Sequence, residues 1–212
     1  MDRIAERVII SDACVVEGAE WLAARCPEMA RAYGEVAPLP LRLKPQGFAE
    51  LLSAIMSQQV SVASARAIWA RVEAAGLDDR ARMAVATDEE LRACGLSRQK
   101  MRYGRALAVS GVDFDALPGM ESDAVIKALT QVTGIGVWTA EIYLKFSLGR
   151  ADAFAAGDLA IQEGARMLYG LDARPTEKAL RAMAEDWRPW RSVAARILWA
   201  YYAAEKKREG IA

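Results

Sequence analysis

The 212-residue sequence contains no histidine, and its three cysteines, Cys14, Cys26 and Cys94, are widely separated. Without histidine, the Ser-His-Asp and Cys-His nucleophilic systems and every His-ligated metal site are excluded. Three scattered cysteines cannot supply the four thiolates of a zinc or iron–sulfur site, and they indicate ordinary thiols in a reducing compartment. Any catalysis must therefore rest on carboxylates, lysine, tyrosine or cysteine, or on positioning of the substrate.

The sequence also lacks an excess of charge of either sign, because 28 basic residues balance 28 acidic ones. This balance excludes a strongly basic, tail-driven nucleic-acid binder, although it leaves room for a local basic face. No uncharged run reaches the length of about 18 residues that a transmembrane helix needs. The first ten residues contain no apolar core of a signal peptide. We therefore expect a soluble intracellular protein that does not associate with membranes.

Long alternating runs of valine, isoleucine and threonine are missing, whereas alanine, leucine, methionine, arginine and glutamate are abundant, which favours helices. With 53% hydrophobic residues the chain can form a real core. The sequence predicts an all-α fold in which the proline-rich segment 35–45 crosses between two bodies. The predicted helices cover roughly residues 17–33, 47–58, 61–75, 88–94, 97–109, 122–131, 137–148, 158–169, 176–186 and 190–207.

The segment LTQVTGIGVWTAEIYL, residues 129–144, carries the first functional signal. Gly134 and Gly136 allow a tight turn between two helices, and Ile135 anchors that turn in the core. The amides at the start of the second helix form an anion site suited to a phosphate. An ordinary helical hairpin would explain a lone G-x-G pair. The longer string resembles the helix-hairpin-helix motif of DNA-repair proteins, whose amides hold a backbone phosphate without reading sequence.

This resemblance implies two sets of hairpin residues. Those that would contact DNA are Thr133, Gly134, Ile135, Gly136 and Thr139. Those whose backbone carbonyls would hold a monovalent cation, Na⁺ or K⁺, are Thr130, Val132 and Ile135.

Asp158 follows Gly157 and directly precedes an apolar-periodic helix. An N-cap role alone would explain an aspartate at this place. Together with the hairpin, the layout resembles the glycosylase branch of the helix-hairpin-helix superfamily, in which an aspartate here faces the sugar of a flipped nucleotide. The two roles are compatible, because one carboxylate can cap a helix and still direct an oxygen towards a substrate.

The residue two places after the second hairpin glycine separates two classes within this branch. Glycosylases that also cut the DNA strand carry a Schiff-base lysine there, whereas this sequence has Trp138. Neither Lys127 nor Lys145 matches that place. The resemblance therefore implies a monofunctional glycosylase without lyase activity, in which water is the nucleophile.

The string AIMSQQVSVASA, residues 54–65, is very close to one found in the 3-methyladenine DNA glycosylase II family. Gln59 falls on the apolar stripe of the predicted helix, where a polar side chain needs a partner. Either Gln59 faces the core with a satisfied partner, or it inserts into the gap left by a flipped base, as the resemblance implies. We assign Gln58 to substrate binding together with it.

The segment PWRSVAARILWAYY, residues 189–202, places Trp199 opposite the predicted apolar stripe of the last helix. Trp199 either packs between domains or lines a cleft; in the same family a string like this leads to an active-site aromatic. An electron-poor alkylated purine prefers an indole face, so we expect Trp138 and Trp199 to bracket the base. Ile142 and Ala200 stand where the family's bacterial type member has further pocket aromatics. From the resemblance we also expect this protein to lack the N-terminal sheet domain of that member.

Arg98, Arg102 and Arg105 align on one face of the helix predicted over 97–109. Three guanidinium groups in this arrangement could straddle phosphates. A merely solvated face explains them equally well.

The resemblance covers about residues 45–205 and implies a central body, residues 45–150, that carries the hairpin. Residues 1–44 and 151–212 would form a discontinuous second body with Asp158. The implied protein is a monomeric, cytoplasmic DNA glycosylase of base excision repair, near the nucleoid in a bacterium. It would flip alkylated purines such as 3-methyladenine and 7-methylguanine out of double-stranded DNA and release them by hydrolysis, without a redox cofactor or catalytic metal. The alternatives are a non-catalytic helix-hairpin-helix DNA-binding protein and a helical interaction protein without a DNA role.

Overall fold

The computed structural model describes residues 6–208, and within this range regular structure is helical apart from one isolated antiparallel bridge between Val8 and Arg150. The all-α prediction is confirmed. Among these residues, no helix has the length and apolar character needed to cross a membrane. Two short 3-10 segments lie at Leu117–Gly119 and Ala184–Trp187. The α-helices are α1 Asp12–Ala23, α2 Pro27–Val36, α3 Phe48–Ser57, α4 Val62–Ala74, α5 Arg80–Val85, α6 Asp88–Ala93, α7 Arg98–Ala108, α8 Ser122–Thr130, α9 Val137–Phe146, α10 Leu159–Tyr169, α11 Glu177–Met183 and α12 Arg191–Arg208.

The chain divides into two compact units. Unit 1 comprises Met1–Leu43 and Leu144–Ala212, and unit 2 comprises Lys44–Tyr143. The boundary near residue 150 that the sequence predicts lies seven residues later than the observed one, which falls inside α9. A division within a continuous helix has no proline or glycine to mark it in the sequence.

Unit 1 is built around α12, which packs against α1, α2 and α10. Close approach between α10 and α12 requires Gly164, because a Cβ there would lie 2.6 Å from the Leu198 carbonyl oxygen. The sequence predicts one buried stripe on α12, but every residue from Ser192 to Leu198 is buried. A helix at the centre of a core is covered on all sides, so the one-face interpretation of α12 is wrong.

Unit 2 contains α3 to α8 and most of α9. Its central contacts join α3 to α4 and α7, with α5 packed on α7. The buried face of α3 consists of Phe48, Leu51, Leu52, Ile55 and Met56, all of which the sequence places on one apolar stripe. Val60, which the same stripe includes, is instead exposed because α3 ends at Ser57.

The helix predicted over 17–33 is two helices, α1 and α2, separated by a turn. Pro27 is the first residue of α2, and the residue before it, Cys26, has extended backbone angles. A proline disfavours the helical conformation of the preceding residue, so it begins a new helix here.

Candidate active site and nucleic-acid interface

Asp158 occupies the N-cap of α10. Its Oδ1 accepts hydrogen bonds from the backbone amides of Ala160 at 2.9 Å and Ile161 at 3.1 Å. The same oxygen accepts a third hydrogen bond, from Trp199 Nε1 at 3.1 Å. The three N–H donors and the positive end of the α10 dipole stabilise a negative charge at this place. The capping role is therefore confirmed, and the carboxylate is held in one orientation by both backbone and side chain.

Trp199 is partly buried on α12 and is held by contacts within unit 1. The Phe146 ring stacks on its indole with centroids 5.5 Å apart and planes inclined by 7°. Lys145 Nζ lies 3.8 Å from the centroid of the Trp199 ring. These contacts and the bond to Asp158 bring the end of α9, the start of α10 and the middle of α12 to one point. The predicted role of Trp199 as a base-stacking aromatic stays a prediction.

The hairpin turn connects α8 to α9 in unit 2. Gly134 has a φ of +101°, and a Cβ there would lie 2.4 Å from Cγ of Tyr103, so only glycine fits. Ile135 is buried, as the sequence predicts, whereas a Cβ at Gly136 would meet nothing within 4 Å. The Ala140 amide donates a hydrogen bond to the Gly136 carbonyl at the start of α9. The amides that precede Ala140 in the first turn have no acceptor carbonyl within the helix. This arrangement is suited to an anion.

Two side chains near the start of α9 differ sharply in exposure. Trp138 is 45% exposed, whereas Thr139 is only 4% exposed. Thr139 lies one helical turn before the buried Tyr143, so its side chain faces the interior of unit 2. The Thr139 side chain is therefore not available to DNA, and the predicted contact of this residue with DNA, which its backbone amide would make, stays a prediction.

Gln58 and Gln59 follow α3 rather than lying on it. Gln59 is exposed and has a φ of +57°, the left-handed region that side-chain-bearing residues rarely adopt. The core-facing alternative for Gln59 is therefore wrong. Gln58 Nε2 donates to the Gly134 carbonyl oxygen at 3.0 Å, which ties this turn to the hairpin.

Lys100 fixes the turn that displays Gln59. Its buried ammonium group donates to the backbone carbonyls of Ile55, Met56 and Gln58, the last at 2.9 Å. These bonds use all three N–H donors and cap the end of α3. Burial lowers the pKa of Lys100. No local sequence signal marks this lysine, because its carbonyl partners lie more than 40 residues away along the chain.

Comparison with known proteins gives the family. Residues 52–189 match the family described as HhH-GPD superfamily base excision DNA repair protein, and this range covers more than half of the chain. The chain belongs to this superfamily. The resemblance to helix-hairpin-helix glycosylases is thereby confirmed, and a helical interaction protein without a DNA role is excluded.

Individual members of the superfamily are similar over most of the chain. A Schizosaccharomyces pombe protein named DNA-3-methyladenine glycosylase 1 is 33% identical over 169 residues, which are 74% of this chain and 72% of that protein. A crystal structure of a DNA-3-methyladenine glycosidase from Bacillus halodurans aligns with a TM-score of 0.77 at 33% identity, covering 96% of this chain and 95% of the other. An S. pombe 3-methyladenine DNA glycosylase bound to abasic DNA aligns with a TM-score of 0.75 at 29% identity, covering 86% of this chain and 95% of that one.

The three arginines for which the sequence leaves a phosphate-binding face and a solvated face open have different surroundings in this HhH-GPD protein. Arg105 pairs with Asp88 at 2.7 Å and donates to the Ala86 carbonyl oxygen, so it joins α7 to the α5–α6 region. Arg98 and Arg102 are exposed. The interpretation in which all three guanidinium groups straddle phosphates is therefore wrong, because Arg105 forms its contacts inside unit 2.

The carbonyls predicted to hold a monovalent cation lie at the end of α8 and in the hairpin turn. Thr130 is the last residue of α8, where carbonyls have no helical amide to accept from. The Val132 carbonyl accepts the Ile135 amide at 3.0 Å and keeps a second lone pair. Carbonyl oxygens are the hard donors that a monovalent cation such as Na⁺ or K⁺ prefers, and a cation at this set stays a prediction.

Two buried basic side chains, Arg196 and Lys145, lie beside the Asp158–Trp199 contact in unit 1. Arg196 on α12 donates to the Ser192 carbonyl and hydroxyl oxygens and to the Leu41 carbonyl at 3.0 Å. Burial, reinforced by the nearby Arg42 charge, lowers the pKa of Arg196 to about 10. Burial also lowers the pKa of Lys145 well below the ordinary lysine value. The sequence signal for this cluster is a lysine within the apolar second half of α9, since a charged side chain is out of place on a buried stretch.

Proposed function

We propose that this protein is a monofunctional DNA glycosylase that releases alkylated purines, such as 3-methyladenine and 7-methylguanine, from double-stranded DNA by hydrolysis. The observation that carries the proposal is the Asp158 carboxylate, oriented by two backbone amides and by the indole of Trp199. A monomer would perform this reaction in base excision repair, in the cytoplasm or at a bacterial nucleoid.

The chemistry fits a protein without histidine. Alkylation at N3 or N7 gives a purine a positive charge, so the base leaves without a general acid. The remaining barrier is the oxocarbenium-like charge that develops on the sugar. A fixed carboxylate stabilises that charge electrostatically, and Asp158 would also orient the attacking water.

Binding requires the damaged nucleotide to leave the helix, because the base and its sugar carbon are not accessible inside a stacked duplex. The amides of the hairpin from Thr133 to Thr139, apart from that of Ile135, which donates to the Val132 carbonyl, would hold a backbone phosphate. Carbonyls of Thr130, Val132 and Ile135 would hold a cation that strengthens this phosphate contact. Gln59, exposed on the turn that Lys100 and Gln58 fix, would fill the vacated stack, and Trp138 and Trp199 would contact the base.

A non-catalytic DNA-binding protein is the second candidate, since it would need the hairpin alone. Such a protein would not need the Asp158 carboxylate to accept a hydrogen bond from Nε1 of the partly exposed Trp199. Chromatography of the bases released from methylated DNA separates the two candidates. We expect release of 3-methyladenine and 7-methylguanine; binding of duplex without release of any base would favour the non-catalytic protein.

We expect no covalent intermediate with DNA. Trp138 stands where strand-cutting relatives would carry a Schiff-base lysine, and the amine of Lys145 is fully buried. Borohydride treatment during turnover on damaged duplex should therefore trap no protein–DNA adduct. A trapped adduct would contradict the monofunctional assignment, and peptide mapping would identify the amine responsible.

Gln59→Ala is expected to weaken binding to duplex with an abasic analogue by about fivefold or more, and binding to undamaged duplex far less. The vacated stack that Gln59 would fill exists only in flipped DNA, and the expected fivefold change corresponds to about 1 kcal/mol of binding free energy. Equilibrium binding to the two duplexes measures the difference. Val85→Ala, which truncates another exposed side chain of unit 2, is the control. Equal losses on both duplexes would remove Gln59 from the gap-filling role.

A further inference from the structure

Lys145 is a buried lysine that the proposed reaction does not use. Its side chain is completely buried, and its Nζ has no hydrogen-bond partner. Buried polar groups are nearly always hydrogen-bonded, because an unpartnered one loses its hydration without compensation. An amine in this state, beside the proposed base-stacking residue, requires a functional explanation.

The position of this amine relative to the two aromatic rings follows from three distances. Nζ lies 3.8 Å from the Trp199 centroid and 5.1 Å from the Phe146 centroid, and the parallel rings are 5.5 Å apart. These separations form a triangle with an acute angle at the indole, so the amine and the phenyl ring lie on the same face of Trp199. The other face of this partly exposed indole is not covered by either group.

Three charged groups from three other elements face Lys145. Arg196 from α12 and Arg42 from the segment after α2 disfavour a proton on the amine, whereas Asp158 from the start of α10 favours one. Burial is the largest influence and also opposes the charge. Arg196 keeps its proton through hydrogen bonds to Ser192 and Leu41, so the amine of Lys145 is the group that gives up its charge.

We propose that Lys145 is a positioning residue which supports one face of Trp199 and whose protonation controls how well this site accepts a cationic base. The inference rests on the proposed function, since it concerns the selection of bases by the same site. It adds to that function a lysine that discriminates cationic from neutral bases.

Protonation of Lys145 would oppose the reaction in two ways. An ammonium 3.8 Å from the indole would compete for the ring quadrupole and repel a positively charged base on the opposite face. It would also offset the negative charge of Asp158, which is needed for every base. A cationic base such as 3-methyladenine suffers both effects, whereas a neutral base such as hypoxanthine suffers only the second.

The test compares the full-length chain with Lys145→Met, an unbranched apolar side chain that cannot be protonated. Single-turnover release of 3-methyladenine is measured for both proteins over the pH range in which melting curves show them folded. As the pH falls through the lowered pKa of Lys145, only the natural protein acquires a charge. The rate ratio of variant to natural protein should therefore rise by about tenfold or more, as expected for two charges several ångströms apart at an effective dielectric of about 20.

Two further variants make the result specific. Lys178→Met removes an exposed lysine of unit 1 and should give a ratio that does not change with pH. Lys145→Arg, if folded, carries a permanent charge and should release 3-methyladenine at least about tenfold more slowly than the natural protein, with a smaller loss on hypoxanthine. A Lys145→Met ratio that stays constant with pH would overturn the inference. No release of 3-methyladenine by the natural protein at any pH would instead overturn the proposed function.

Discussion

Asp158→Asn is expected to reduce single-turnover release of 3-methyladenine by about a hundredfold to a thousandfold, the range seen when one electrostatic group is removed from an active site. Asparagine keeps an oxygen that can accept the amides of Ala160 and Ile161 and the indole N–H of Trp199. The free energy of unfolding should therefore change by less than the ~1 kcal/mol of a lost cap. The large loss of rate with a small loss of stability would identify the negative charge as the functional property.

Asp79→Asn is the matched control for this experiment. Asp79 is the N-cap of α5 and accepts the Arg82 amide at 2.9 Å, so it loses the same charge at the same kind of helix position. We expect its rate of base release to stay near that of the natural protein. Near-normal release by Asp158→Asn, or equal losses in both variants, would reduce Asp158 to a helix cap and contradict the proposed mechanism.

The fold could be predicted where local patterns determine it. Apolar stripes such as that on α3, together with breaks at glycine and proline, are sufficient to predict most helices. The division between α1 and α2 at Pro27 is not predicted, because a helical pattern continues on both sides of the proline. The six-residue α5 is not among the helices predicted from the sequence. Its only buried side chain is Met83, and a single apolar position gives no periodic pattern. The boundary inside α9 depends on which helices pack together, and this information is not local.

The candidate site could be predicted only where residue type and spacing along the chain determine the structure. The cap at Asp158 and the buried anchor Ile135 followed from residue type and spacing. The left-handed backbone at Gln59 could not be predicted, because the carbonyl of the preceding Gln58 accepts a hydrogen bond from Lys100, 42 residues further along the chain, and this bond helps to hold the turn. The amine of Lys145 was overlooked for the same reason: its neighbours Trp199 and Arg196 come from a helix that begins 45 residues after α9 ends.

Trp199→Ala is expected to reduce release of 3-methyladenine by a factor between about five and a hundred or more, from the loss of base stacking worth about 1–3 kcal/mol. The loss should be smaller on hypoxanthine, which is neutral and gains less from the ring quadrupole. Truncation also removes the Nε1 bond to Asp158 and the contact with Phe146, so stability should fall as well, by about 3 kcal/mol or more if the cavity does not collapse. The two lesions must therefore be compared within the same protein, where any loss of fold affects both equally.

Trp199→Phe separates stacking from orientation of the carboxylate. Phenylalanine keeps an aromatic face beside Phe146 but cannot donate a hydrogen bond to Asp158, so we expect it to retain most of the preference for 3-methyladenine while both rates fall. Trp187→Phe, which alters a buried indole of the same core, is the control and should lower the melting temperature without changing the ratio of the two rates. If Trp199→Ala lowers both rates equally with a sharply lower melting temperature, Trp199 serves packing alone, and the base must bind elsewhere.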